Sequence, residues 1–459
     1  MDFSRVDMVL DGYYPQMERD LVGLLAIPST LGAAEPYAPY GRAVADAIHY
    51  ALGVAQSLGM EVEDLDGYCG RADVPGASEE QIGILAHVDV VPAVAAEWKY
   101  APFAPALADG KIYGRGAMDD KGPLIAALYG AAALADCGVP LEKTVRFIIG
   151  GNEENGMDCV EYYLTKYAQP SCGFTPDGSF PAIIGEKGIF VYSLSASWAD
   201  DDSAPLKLLR AEAGTAPNVV PGRAEAEFAC PDDLPLPELP GLVMERAAGR
   251  LTVRAEGRAG HASMPELCEN ALTLLLSGLR GLDFAPAGAK RYLTALADMA
   301  CADPMHGAGF GVAGSDALSE TTNVPSILRL ADNAGSLTCD MRFQLKKCCD
   351  DYPPLLQALA AAHGMTFSEK ERMEPLYFGE QDPVAGKLVE VYREMTGDLR
   401  DPLVIGGGTY AKKMKHFVAF GPEHPEMPNL AHQADECIES KYLLFLAKLY
   451  ARAIYALAR

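Results

Sequence analysis

Between Gln81 and Pro92 the chain reads Gln-Ile-Gly-Ile-Leu-Ala-His-Val-Asp-Val-Val-Pro. The apolar run Ile82 to Ala86 is short and lies between a polar cluster and a proline, the mark of a buried strand. Such strands fill parallel sheets, where both faces are covered and ligands gather at the carboxyl ends. His87 ends the run and Asp89 follows at a spacing of two. On a regular strand these side chains share one side. An imidazole beside a carboxylate can be a metal ligand with its orienting partner, although a lone His-x-Asp is more often a satisfied polar pair.

The flanking elements fit a sheet with helices. Helices are expected over Tyr13 to Ala26 and Ala43 to Leu58, and strands over Glu61 to Leu65 and Lys111 to Tyr113, the latter after an Asp109-Gly110 turn. An alanine-rich helix follows from Pro123 to Ala135, then a strand over Thr144 to Ile149 and a helix over Asp158 to Tyr167. This alternation predicts an α/β domain with a mostly parallel sheet covered on both faces. Beyond Gly188 the texture changes. Phe190 to Ser197, Leu251 to Ala255 and Ser336 to Phe343 alternate, with helices such as Glu269 to Leu279 and Pro353 to Ala362 between them. That is an α+β region with antiparallel sheet. From about Asp382 the chain returns to helix, the strand Val418 to Phe420, and a last helix from Ser440 to Leu457.

Asp119, the doublet Glu153-Glu154, Asp177 and His432 fall at or just after the ends of predicted strands. Singly, each has a plain alternative: a helix cap, a solvated loop, a turn, a surface histidine. Jointly, two histidines and several carboxylates are what a pair of divalent cations needs, one carboxylate bridging and another free to act as base. Adjacent side chains diverge, so Glu153-Glu154 offers one ligand and one base.

The blocks around these residues are Ala86-His87-Val88-Asp89, Gly114-Arg115-Gly116-Ala117-Met118-Asp119-Asp120-Lys121-Gly122, Glu153-Glu154-Asn155-Gly156, Pro176-Asp177, Gly260-His261, Asn323-Val324-Pro325, Gly406-Gly407-Gly408-Thr409-Tyr410-Ala411 and His432-Gln433-Ala434-Asp435-Glu436. Together they resemble the metallopeptidase family that contains carnosinase, aminoacylase and bacterial peptidase V, the last branch fitting best. The resemblance implies a zinc-peptidase-like catalytic domain, residues 1–186 and 381–459, with an inserted α+β lid at 187–380, large enough for two ferredoxin-like units. It implies that Asp119 bridges two metals, that His87 and Asp177 complete one site, and that Glu154 and His432 complete the other. Glu153 would be general base and acid, and Asp89 would orient His87. His261 and Asn218 would hold the scissile carbonyl oxygen. Arg342, with Gly408 and Thr409, would bind the substrate carboxylate. A cis peptide between Asp119 and Asp120 is implied too. The chain departs from the family pattern at Lys415-His416, where Pro-Asn is frequent, and at Gln344, where proline is.

The implied activity is metal-dependent hydrolysis of dipeptides, with N-acyl-amino-acid deacylation or carboxypeptidase action as alternatives. The metals would be zinc, with manganese or cobalt as alternatives. A binding protein without turnover is disfavoured, because Glu153 and every ligand are present. Net charge is −25, from 38 basic and 63 acidic residues, so nucleic acid and anionic membranes are poor partners. The amino-terminal residues lack the pattern of a secretory leader, and no stretch is long enough to span a bilayer. The 11 cysteines form no Cys-x-x-Cys motif. They read as reduced thiols of a cytoplasmic protein. With two lid units covering each other, the expected state is a monomer in which His261 serves its own chain.

Overall fold

The computed structural model describes residues 1–379, 382–424 and 426–459. They form two compact units: Met1–Gly185 with Phe378–Leu403 and Gly408–Arg459, and Glu186–Tyr377 with Val404–Gly407. The first change of unit falls one residue before the expected one. The second comes at Phe378, and Glu380 and Gln381, where it was expected, lie outside the described residues. Val404–Gly407 differs from expectation by joining the second unit. Its Ile405 carbonyl accepts the Lys187 amide at 2.9 Å, and the backbone of Gly406 lies against Ser263.

In the first unit the strands Lys143–Gly150, Ser78–His87, Cys172–Thr175 and Phe417–Ala419 lie side by side and parallel. Glu61–Leu65 and Cys69–Val74 extend one side antiparallel, and Ile183–Glu186 the other. The parallel strands carry the apolar runs: Ile82, Ile84, Leu85 and Ala86 are fully buried, as are Val145, Phe147, Ile148 and Ile149, with the paired Arg146 between them. Cys69–Val74 escapes a sequence reading because its charges interrupt any apolar pattern. In the sheet those charges are matched, Asp73 accepting from Arg146 at 2.9 and 2.8 Å and from Arg71 at 2.7 Å.

The helix Lys121–Asp136 has 14 buried residues of its 16. It packs against the final helix, Ser440–Ala458, and Gly130 permits the approach, since a Cβ there would sit 2.8 Å from the Ala447 carbonyl oxygen. The first helix runs Ser4–Leu25 and so begins before Tyr13. Val6 and Leu10 continue the buried stripe of Met17, Leu21 and Leu24, which extends the helix through Pro15 despite the lost backbone donor.

The second unit is built on an eight-stranded antiparallel sheet. Its order is Val243–Ala247, Arg250–Glu256, Arg223–Ala229, Lys207–Ala213, Thr322–Ala331, Ala334–Phe343, Gly188–Ser197, Thr366–Met373. The two four-stranded halves join through Ala211↔Leu330, Glu212↔Arg329 and Ala213↔Leu328. One apolar cluster runs through both, with Phe190, Tyr192 and Leu337 from one half, Phe228 and Val253 from the other, and Leu275 from the helix Ala271–Leu279. The helix Ala287–Ala302 was not expected. It follows Pro286 without a side-chain cap, so its start carries no sequence signal. Among the described residues no helix is long and apolar enough to cross a membrane.

Candidate metal centre

The parallel strands deliver the donors to one end of the first unit's sheet. His87 is the last residue of Ser78–His87, and Glu153 and Glu154 follow Lys143–Gly150. Asp177 follows Cys172–Thr175, and Asp119 precedes the helix Lys121–Asp136. His432 lies in the loop before Cys437–Glu439 with φ +64°, in the left-handed region. Such a backbone in a non-glycine residue costs about 1–3 kcal/mol and persists where surrounding contacts hold it.

Asp119 divides its two oxygens. Oδ1 lies 3.0 Å from His87 Nε2, and Oδ2 lies 2.9 Å from His432 Nε2. His87 Nε2 is also 3.7 Å from Asp177 Oδ2, and His432 Nε2 is 3.0 Å from Glu154 Oε1. Two trios result, His87–Asp119–Asp177 and Asp119–Glu154–His432, each with its donor atoms within 4.8 Å of one another. Glu153 is in neither. The Asp119–Asp120 peptide is cis.

The charges are crowded. Burial opposes ionisation of Asp119, yet hydrogen bonds from His432 and His87 outweigh it and hold its carboxyl well below the usual range. Burial, then the Asp119 charge, pushes Asp177 up to about 8. Burial and the same charge raise Glu154, and burial with Asp177 and other carboxylates holds Glu153 well above its usual value. Burial favours neutral imidazoles, but Asp119 with Asp89 holds His87 charged well above its ordinary pKa, and Asp119 with Glu154 does the same for His432. Protons therefore balance an excess of carboxylates. Hard oxygen and imidazole nitrogen donors in two trios with a shared carboxylate fit two divalent cations, whose charge would replace those protons.

The supports are specific. His87 Nδ1 is 3.0 Å from the Asp89 carbonyl and 3.5 Å from its Oδ1, an arrangement that directs Nε2 to the trio. The Asp89 carboxylate also accepts the Glu153 and Glu154 amides at 3.0 and 3.1 Å, so it holds the acidic doublet as well as the imidazole. Buried Glu436 accepts from Arg115 Nη1 and from the amides of Gly116, Met118 and Asp119 at 2.8 to 3.3 Å. It thereby fixes the backbone that presents Asp119. Lys121, fully buried, donates to the Leu24 and Ile27 carbonyls. The Tyr410 ring meets the His87 ring edge-on, centroids 6.0 Å apart. Thr409 and Gly408 also belong to this unit, and Thr409 Oγ1 accepts the Ala411 amide at 3.2 Å. Glu436 and Tyr410 stood inside recognisable blocks, but only their contacts reveal a task.

Asn218, His261 and Arg342 belong to the second unit. Val219 pairs with His261, and the Asn218 carbonyl accepts the Ala262 amide at 2.9 Å, which places Asn218 beside the histidine strand. Arg342 is buried and engaged. Nε and Nη2 donate to Asp340 at 2.6 and 2.7 Å, and Nη1 points to the Gly406 carbonyl at 3.3 Å. Asp340 was overlooked in sequence, although its i, i+2 spacing from Arg342 puts both on one strand face, the rule that paired His87 with Asp89. His49 pairs with Asp64 at the surface. Among the described residues, neither it nor His306, His363, His416 or His424 enters a donor trio.

A profile of the Peptidase family M20/M25/M40 matches residues 83–456. A Staphylococcus epidermidis protein named "Putative dipeptidase" is 33% identical over 471 aligned residues, covering 97% of each chain. The Bacillus subtilis protein named "Putative dipeptidase YtjP" is 34% identical, over 96% of this chain and 97% of its own. The fold is shared with human carnosine dipeptidase 1 at a TM-score of 0.61 and 15% identity, over 99% of this chain and 98% of that one.

Proposed function

The chain belongs to Peptidase family M20/M25/M40, and from that premise we propose that it is a two-metal dipeptidase cleaving the amide bond of dipeptides with a free C-terminal carboxylate. The observation that carries this reading is the division of the Asp119 oxygens between two histidine-carboxylate trios, with Glu153 outside both. His87 and Asp177 would hold one cation, Glu154 and His432 the other, and Asp119 both. Zinc suits these donors, and manganese or cobalt would fit too. Bound there, two cations would supply Lewis-acid activation of water and of the scissile carbonyl.

The chain's own groups supply the rest. Glu153 accepts a proton from the attacking water on its carboxylate and delivers it to the leaving amine nitrogen. The raised proton affinity of Glu153 suits a group that must carry a proton between two steps. Asp89, by gripping the Glu153 and Glu154 amides, keeps base and ligand in fixed relation. His261, with Asn218, donates to the carbonyl oxygen as it becomes negative. Arg342, Gly408 and Thr409 recognise the free carboxylate, with Asp340 holding the guanidinium plane. The joined halves of the second unit's sheet support a monomer, and 11 free thiols support a cytoplasmic site of action.

The test is turnover by metal-reconstituted protein on dipeptides, tripeptides and N-acetyl amino acids. Preferential cleavage of dipeptides is expected. Faster release of acetate from N-acetyl amino acids would replace the reading with a deacylase.

A further inference from the structure

We propose that Ser263 is a positioning residue that locks His261 as the neutral tautomer with its proton on Nε2. The Ser263 amide donates to His261 Nδ1 at 3.1 Å, and Ser263 Oγ lies 2.7 Å from the same nitrogen. A backbone N–H can only donate, so Nδ1 must present its lone pair. The hydroxyl then donates to that lone pair as well. A proton on Nδ1 would face the amide proton, which disfavours both the other tautomer and the imidazolium. The ring proton therefore sits on Nε2.

The seat of this serine is built. The Met264 amide closes a turn onto the His261 carbonyl at 3.0 Å, and Gly260–His261 pairs with Val219–Val220. Gly406 packs so closely that a Cβ on it would lie 2.8 Å from Ser263 Cβ, and the Gly406 carbonyl faces Arg342. The two groups of this unit assigned to substrate are thus tied through Ser263 and Gly406. The consequence for catalysis rests on the dipeptidase reading: an oxyanion needs an N–H donor, and the lock keeps one on Nε2 without leaving the right tautomer to chance.

The experiment is long-range ¹⁵N–¹H correlation of the imidazoles in metal-loaded protein labelled at its 8 histidines, with His261 assigned by His261→Gln. Wild type should show an unprotonated Nδ1 and a protonated Nε2. Ser263→Ala keeps the amide donor and loses the hydroxyl, so Nδ1 should stay unprotonated but resonate away from its wild-type position, and kcat should fall about threefold at unchanged KM, well short of the 10²–10³-fold cost of losing such a donor outright. Ser263→Thr should restore both readouts. A protonated Nδ1 in wild type overturns the proposal, and so does a Ser263→Ala spectrum identical to wild type. Absence of any dipeptide turnover in wild type would instead remove the dipeptidase reading, and the spectra alone would then decide the lock.

Discussion

The two units carry candidate functional side chains in contrasting electrostatic settings. In the first, Asp119, Glu153, Glu154 and Asp177 meet two imidazoles, and burial with mutual repulsion holds three of these carboxyls above their usual proton affinity. In the second, Arg342 is matched by Asp340 through two hydrogen bonds, and His261 is held by its neighbour two residues on. The first centre is incomplete as a set of charges and asks for cations. The Arg342–Asp340 pair of the second is matched and pre-organised. A close i, i+2 pair on one strand needs only local geometry, whereas a donor set gathered from several strand ends can accumulate charge that no neighbour offsets.

The sharpest way to test that contrast is Glu153→Gln. It should lower turnover by about 10²–10⁴-fold, the usual worth of a general base, while metal content by elemental analysis stays that of wild type. A variant keeping a tenth of wild-type turnover would sink the assignment. Next in size is Arg342→Ala, which strands the Asp340 carboxylate in the core at a cost of about 3–5 kcal/mol. Hydrogen exchange should rise in Ala334–Phe343 and stay low in Ser78–His87, and KM for dipeptides should rise. Equal loosening of both strands would contradict the separation drawn between the units.

A smaller effect is expected with substrate length. With Arg342 as the proposed carboxylate clamp, a tripeptide would put its carboxylate out of register, and kcat/KM should fall about tenfold against a dipeptide of matched composition. Equal rates would remove the carboxylate from the recognition scheme.

Smaller again is the pH response of protein stripped of metal. Asp177 moves from an ordinary 3.8 to about 8, so the folded state binds the extra proton between those values. Stability from this group is full near pH 4 and is lost as pH rises to 8, because the unfolded chain releases the proton first. His87 and His432, both raised, act in the same sense above their ordinary 6.5. Thermal melts should therefore fall by a few degrees from pH 5 to 8 without cation, and zinc should reverse the slope. A melt that rises with pH in metal-free protein would deny the charge excess. Last, on the proposal that each chain uses its own His261, mixing Glu153→Gln and His261→Ala chains should restore no activity. Recovery, with dimers seen by light scattering, would place that histidine across subunits.

Much was legible beforehand, for physical reasons visible in particular residues. Ile82 to Ala86 and Phe147 to Ile149 carry no charge because parallel strands bury both faces, so the centre of the sheet could be read directly. Cys69–Val74 could not, because its stability comes from Asp73, Arg71 and Arg146 meeting across strands. Arg342 was legible as a cation in a motif, but its engagement by Asp340 was not drawn from a spacing that would have allowed it. Ser263 gave no signal, since a serine two residues after a histidine is ordinary.

The sequence by itself determined the kinds of donor and their places at strand ends, because periodicity and residue type are local properties that survive without a fold. It also carried the family, through short blocks whose residue types are jointly specific. Only the tertiary structure decided which oxygen of Asp119 faces which histidine, that Asp89 grips the Glu153-Glu154 amides, and that Val404–Gly407 joins the second unit. Those outcomes join residues as far apart as His432 and Glu154, 278 positions along the chain. They depend on how packed strands and helices set distances to a fraction of an ångström, a property no local pattern contains.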